Sequence, residues 1–163
     1  MRDLTEGELR EALYSALAVP GFVGSVASHH PFVSVEALLH IAYDAAGRIS
    51  ASEIDEALAH HPRIGDAPVG DGAAQSFSRA EQLSADAEDP QLQSALAEGN
   101  RRYEERFDRV FLIRAAGRTR AEMVVELERR LLLDDATELL VVRSQLREIA
   151  MIRLTHLFGQ DSA

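Results

Sequence analysis

His61 is an imidazole placed where a helix has to stop. It stands in the run Ala59-His60-His61-Pro62-Arg63-Ile64-Gly65. The spacing predicts a helix over residues 50–61, opened by Ser50 and Glu53 as a capping box. On that helix Ile54, Ala57 and Leu58 fall at i, i+3 and i+4, and His61 at i+7 extends the same apolar stripe, whereas His60 does not. Pro62 disfavours further helix. A titratable side chain aimed inward beside a glycine-rich loop suits acid–base work, although such a histidine can equally be a satisfied, partly buried one.

Further residues have chemical potential. Arg153 lies near the middle of an apolar stripe made by Leu139, Val142, Leu146, Ile149, Ala150 and Leu157, with Arg143 and Arg147 towards its polar side. An inward arginine stays charged and needs a carboxylate, carbonyls or an anionic ligand; a structural salt bridge or a snorkelling side chain is the plainer reading. In Ser78-Arg79-Ala80-Glu81-Gln82 the Ser78–Glu81 spacing is that of a capping box, which would confine Glu81 to a backbone N–H. The same carboxylate, in a first helical turn after the loop that follows His61, is also well placed to meet that histidine. Asn100 falls on an apolar stripe and is expected to tie down backbone across the core.

Other chemistries find less support. His40, His60, His61, Asp44 and Asp66 could be weighed as metal ligands, but His60 and His61 diverge by about 100° on a helix, and no His-Glu-x-x-His is present. The glycines between 65 and 72 neither follow a strand nor include a lysine, as a phosphate cradle would require. Serine–histidine hydrolysis lacks its Gly-x-Ser-x-Gly elbow.

The elements that must position these residues are helical. Residues 5–17 carry apolar positions at helical spacing, with Thr5 and Glu8 as a capping box and Pro20-Gly21 as the stop. A helix is predicted over 34–46, closed by Gly47. Residues 65–77, with Gly65, Pro68, Gly70 and Gly72, read as loop, and 78–87 as a short helix. Asp89-Pro90 is an N-cap and N1 pair for a helix burying Leu92, Leu96, Tyr103 and Phe107. The apolar run 110–113 is too short to assign by periodicity. Thr119 and Glu122 cap a helix with Val124, Leu127 and Leu131 inward, and Asp135 and Glu138 cap a last helix reaching about residue 158. The class is all-α, a single domain over residues 1–163 with seven or more helices and not a simple four-helix bundle.

Composition narrows the setting. The 163 residues are 46% hydrophobic, enough for a real core. A net charge of −10 argues against sequence-independent binding to nucleic acid or anionic membranes. No stretch approaches the ~20 apolar residues that span a bilayer. The acidic N-terminus is unlike a secretory signal, and the C-terminus lacks a peroxisomal Ser-Lys-Leu. Without cysteine there is no disulfide framework or thiolate chemistry. A soluble cytoplasmic protein is expected.

In order along the chain, His61-Pro62-Arg63-Ile64-Gly65, Ser78-x-x-Glu81-Gln82, Asn100-x-x-Tyr103-x-x-Arg106-Phe107, Val110-Phe111-Leu112-Ile113-Arg114-Ala115 and Ile152-Arg153-Leu154 resemble the 2-oxo-4-hydroxy-4-carboxy-5-ureidoimidazoline (OHCU) decarboxylase family. The resemblance runs from about residue 32 to about residue 157. It implies an all-α, usually homodimeric lyase of urate degradation in purine catabolism, converting OHCU to (S)-allantoin and CO2 with no metal or organic cofactor. By resemblance His61 and Glu81 are catalytic, and Pro62, Ser78 and Gln82 are substrate-binding. Phe111, Leu112, Ile113, Arg114 and Ala115 match a segment whose backbone meets the substrate, and Arg153 matches its arginine from the last helix. The chain departs from the family pattern at Asp108, where many members carry glycine. Rival readings are a non-enzymatic helical interaction module and a metal-dependent hydrolase.

Overall fold

The capping signals translate directly into helix starts. In the computed structural model, which describes residues 4–66 and 69–159, eight helices are found among the described residues and no strand. Pro68 and the terminal residues 1–3 and 160–163, on which some of the expectations above rest, lie outside that description. The fold class is all-α. Two compact units make up the chain, one holding residues up to 57 and from 143 onward, the other residues 58–142.

The first unit contains α1 (Glu6–Ala16), α2 (Pro20–Ala27), α3 (Val35–Ala46), all but the last residue of α4 (Ala51–Leu58), and the larger part of α8 (Asp135–Phe158). Thr5 and Glu8 form the expected reciprocal capping box, Ser34 caps α3, and Ser50 and Glu53 exchange bonds of 2.7 and 3.2 Å. Pro20-Gly21 does not merely end α1. Pro20 is the first residue of α2, where its missing N–H costs nothing. Leu9, Leu13, Phe22, Val26, Leu38 and Ile54 are buried in this unit, as are Val26's neighbour Ala27 and, on α8, Leu146, Ile149 and Ala150.

The second unit holds α5 (Ala73–Glu81), α6 (Pro90–Phe107), α7 (Arg120–Arg130) and the start of α8. Asp89 caps α6 through Gln91 and Leu92 N–H groups, with Pro90 at N1. Thr119 and Glu122 form the capping box of α7. The helices α6 and α7 pack closely because Gly99 has no side chain; a Cβ there would run into Leu127. Ile64, Leu96, Tyr103, Phe107, Phe111, Ile113, Ala115, Met123 and Leu127 form one apolar cluster, with Val124 and Leu131 packed against it.

Several expectations are corrected. The predicted helix 50–61 ends at Leu58, and His61 N–H donates to Leu58 O at 3.1 Å in the tight turn that follows. Being the residue before proline, His61 is itself disfavoured in the helical region. The helix predicted at 78–87 begins at Ala73 with Gly72 as N-cap, so Ser78 lies inside it and caps nothing. Asp135 and Glu138 do not cap α8: Asp134 does, accepting from Thr137 N–H at 2.7 Å, while Glu138 is buried. In the last turn of α8, Leu154 and Phe158 are buried and Leu157 is exposed. Asp108 ends α6 in the left-handed conformation, φ 53°. That is the reason glycine suits the position, and aspartate is among the few other residues that adopt it readily.

Candidate active site

The turn after α4 presents its two histidines differently: His60 is exposed and His61 half-buried. Both line an open cleft of about 530 Å3 in the second unit, together with Pro62, Gln75, Ser78 and Val110. The chain after His61 is fastened at three successive residues. Arg63 pairs with Glu104, one bond being 2.9 Å; its hydrogen bond holds the Glu104 carboxyl below the ordinary range. Asn100 Nδ2 donates to Ile64 O at 3.2 Å, the core-spanning tie expected of it. Gly65 N–H donates to Gln82 Oε1 at 3.0 Å. With the Ile64 side chain in the apolar cluster, these bonds fix the backbone on which His61 and Pro62 sit.

Ser78 and Glu81 are one helical turn apart on α5, at i and i+3. Ser78 is 5% exposed and its Oγ donates to Ala74 O at 3.0 Å. Glu81 is the last residue of the helix and half-buried. Gln82 is the C-cap, its side chain turned back onto the 65–66 loop. The turn beyond it is anchored by Asp86, whose carboxylate accepts from Arg120 and Ala121 N–H at 2.8 and 3.1 Å, the first donors of α7. Those bonds, Arg120's first, hold Asp86 below the ordinary carboxylate range. Arg120 also donates from Nη2 to Gln82 O at 3.1 Å.

Residues 110–115 belong to neither helix nor sheet. The side chains of Phe111, Leu112, Ile113 and Ala115 are buried, and Arg114 is half-buried with Nη1 donating to Ala116 O at 2.7 Å. What this segment can offer a ligand is therefore largely its peptide groups. Arg153 belongs to the first unit, on α8; it is 3% exposed, as the stripe predicted, and its Nη1 lies 3.4 Å from Ala16 O. Arg143 donates to Ile49 O at 2.9 Å, and Arg147 stacks over Tyr43 with 4.2 Å to the ring centre.

Three polar residues were missed by sequence reasoning: Arg120, Arg130 and the buried role of Glu138. A signal existed for the two arginines, since 120, 123, 127 and 130 share one helical stripe with Met123 and Leu127. Among the described residues no group of three or more His, Asp or Glu side chains is arranged to hold a metal ion.

The second unit is thus an all-helical carrier of an open polar cleft, with its ionisable groups supplied by helix ends and turns. Comparison with known proteins narrows that class. The family model described as OHCU decarboxylase matches residues 2–155, and the chain belongs to the OHCU decarboxylase family. The uric acid degradation bifunctional protein TTL of Arabidopsis thaliana is 30% identical over 145 residues, which are 86% of this chain and 44% of that protein. The chain thus spans less than half the length of that relative. A crystal structure of OHCU decarboxylase in the presence of (S)-allantoin is similar at a TM-score of 0.72 and 26% identity, covering 91% of this chain and 98% of that one. A structure of (S)-allantoin synthase, 14% identical, shares the fold at a TM-score of 0.68 over 94% of this chain and 50% of that one.

Proposed function

We propose that this chain decarboxylates OHCU to (S)-allantoin and CO2 in urate degradation, as a carboxy-lyase with one family domain and no metal or organic cofactor. Family membership over residues 2–155 supports the reaction. The observation that carries the residue assignment is the start of α5 at Ala73. With that start Ser78 lies inside the helix instead of at its N-cap, which speaks against one of the two readings, a Ser78–Glu81 cap and a structural Arg153, that together made up the non-enzymatic module. Glu81 closes the helix whose Ser78 lines the same cleft as His61 and Pro62.

The chemistry asks little beyond placed donors and one proton. The bond from the quaternary ring carbon to its carboxylate breaks, CO2 leaves, and the electron pair passes into the ring's own imine and carbonyl system. A proton then adds to that carbon from one side. His61 and Glu81 hold the 4-hydroxyl and carboxylate and manage the proton. Peptide groups of residues 111–115, with Pro62, Ser78 and Gln82 around the ring, orient the substrate, and donors where charge develops stabilise it. Arg153 is the arginine that the resemblance gives to the substrate. Delivery from a single side makes the product one enantiomer. A homodimer in a cytoplasmic setting completes the reading.

Two near-isosteric variants test it. His61→Asn and Glu81→Gln are expected to fold with unchanged circular dichroism and to lose on the order of 10²–10⁴ in kcat. Turnover at the wild-type rate in both variants would overturn the roles given to these residues.

A further inference from the structure

Arg130 and Glu138 are both 0% exposed and face each other across the second unit's core. Arg130 Nε donates to both Glu138 oxygens at 2.9 and 3.1 Å, and its Nη2 and the Tyr103 hydroxyl also bond that carboxylate. Burial, and then the bond to Glu138, push the Tyr103 phenol well above its usual range, so it stays a donor. The guanidinium lies over the Phe111 ring, 4.7 Å from its centre. Its remaining edge is turned to the main chain, where Nη1 donates to Leu112 O at 2.6 Å.

Stability alone does not account for this cluster. Taking two charges fully out of water costs about as much as their attraction returns, and well-packed apolar residues of similar volume often do as well or better. What arginine supplies and an apolar side chain does not is a rigid fork with donors in fixed directions. Here one edge of the fork is locked by Glu138 and its face by Phe111, so Nη1 is held in one place. The carbonyl it meets belongs to a segment with no helix or sheet ladder to orient its peptides.

A planar trans peptide carries its C=O and N–H in opposite directions. Drawing Leu112 O towards Arg130 therefore turns the Ile113 N–H away from Arg130. We propose that Arg130, locked by Glu138, is a positioning residue that sets the direction of the Leu112–Ile113 peptide and so aims the Ile113 N–H at the substrate. The part concerning substrate rests on the decarboxylase reading above; the orientation of the peptide does not.

The test is the double variant Arg130→Met/Glu138→Leu, which exchanges the ion pair for apolar volume, with Arg130→Lys as the conservative partner that keeps the charge pair but not the fork. Amide hydrogen exchange and the 15N shift of Ile113 are measured, together with kcat and KM referred to the folded fraction. Both variants are expected to shift the Ile113 amide and to lose about tenfold or more in kcat/KM with the fold retained. Should the double variant fail to fold, Arg130→Lys decides by the same readouts. Wild-type values for the Ile113 amide and for kcat/KM in a folded variant would overturn the proposal. A wild-type protein that does not turn over OHCU would count against the reaction, while the Ile113 amide still reads the positioning.

Discussion

Gln82 ties two parts of the second unit together at the level of single atoms. Its Oε1 accepts from Gly65 N–H, its Nε2 lies 3.5 Å from Asp66 O, and its own carbonyl accepts from Arg120. The resemblance gives this residue to the substrate, and the bonds add a second task, holding the loop after His61 against the end of α5. Gln82→Ala removes the acceptor for Gly65 N–H, a loss of about 1 kcal/mol of stability. The expected outcome is a higher KM and a slightly lower denaturation midpoint, read by steady-state kinetics and urea titration. An unchanged KM would mean that neither task matters to binding. The inward character of Arg153 and Asn100 was legible in the sequence because each lies on an apolar stripe, whereas His61 is half-buried in the turn beyond α4 and owes its placement to that turn, not to the stripe. The partners of Gln82 were not legible, since Gly65 is distant in the chain and no spacing rule connects a C-cap amide to a loop N–H.

At the scale of elements, most helix starts read clearly, as did the ends of α3 at Ala46 and α8 at Phe158, whereas the start of α5 and the ends of α4 and α5 did not. Thr5, Ser34, Ser50, Asp89 and Thr119 each bond the first turn they precede, and local capping chemistry is strong enough to be seen without tertiary contacts. The pattern misled where the same residue types occur inside an element. Ser78 and Glu81 carry the capping spacing, but Ser78 Oγ bonds back to Ala74 O within a helix that a glycine opens. Glu138 likewise has the cap spacing from Asp135 and is instead drawn into the core by Arg130. A cap of a different kind joins α5 to α7: the Asp86 carboxylate occupies the N-terminus of α7 and has its folded pKa depressed by those N–H bonds. A depressed carboxylate stabilises the fold above its unfolded pKa and loses that contribution as pH falls through the folded value. Stability should therefore decline on acidification below the ordinary carboxylate range, and Asp86→Asn should be less stable at neutral pH with a shallower acid limb. Urea midpoints from pH 7 down to about 3 measure this; equal slopes in both proteins would remove Asp86 from the account.

On the scale of the whole molecule, the all-α class followed from periodicity and the absence of alternating segments, but the division into two units did not. Helical periodicity says which face is buried and nothing about which other face covers it. His61, Glu81 and residues 111–115 belong to one unit and Arg153 to the other, a grouping that a one-dimensional pattern has no means to reveal. Among the described residues no helix is long and apolar enough to cross a membrane. The central claim is that the whole chain converts OHCU stereospecifically. OHCU is generated in place from urate by the upstream enzymes, the protein is added, and circular dichroism is followed with time. Spontaneous decay gives racemic allantoin, so the account predicts rapid growth of the (S)-allantoin signal, faster than the uncatalysed loss of OHCU. Unchanged decay with no optical activity after addition of folded protein would contradict it.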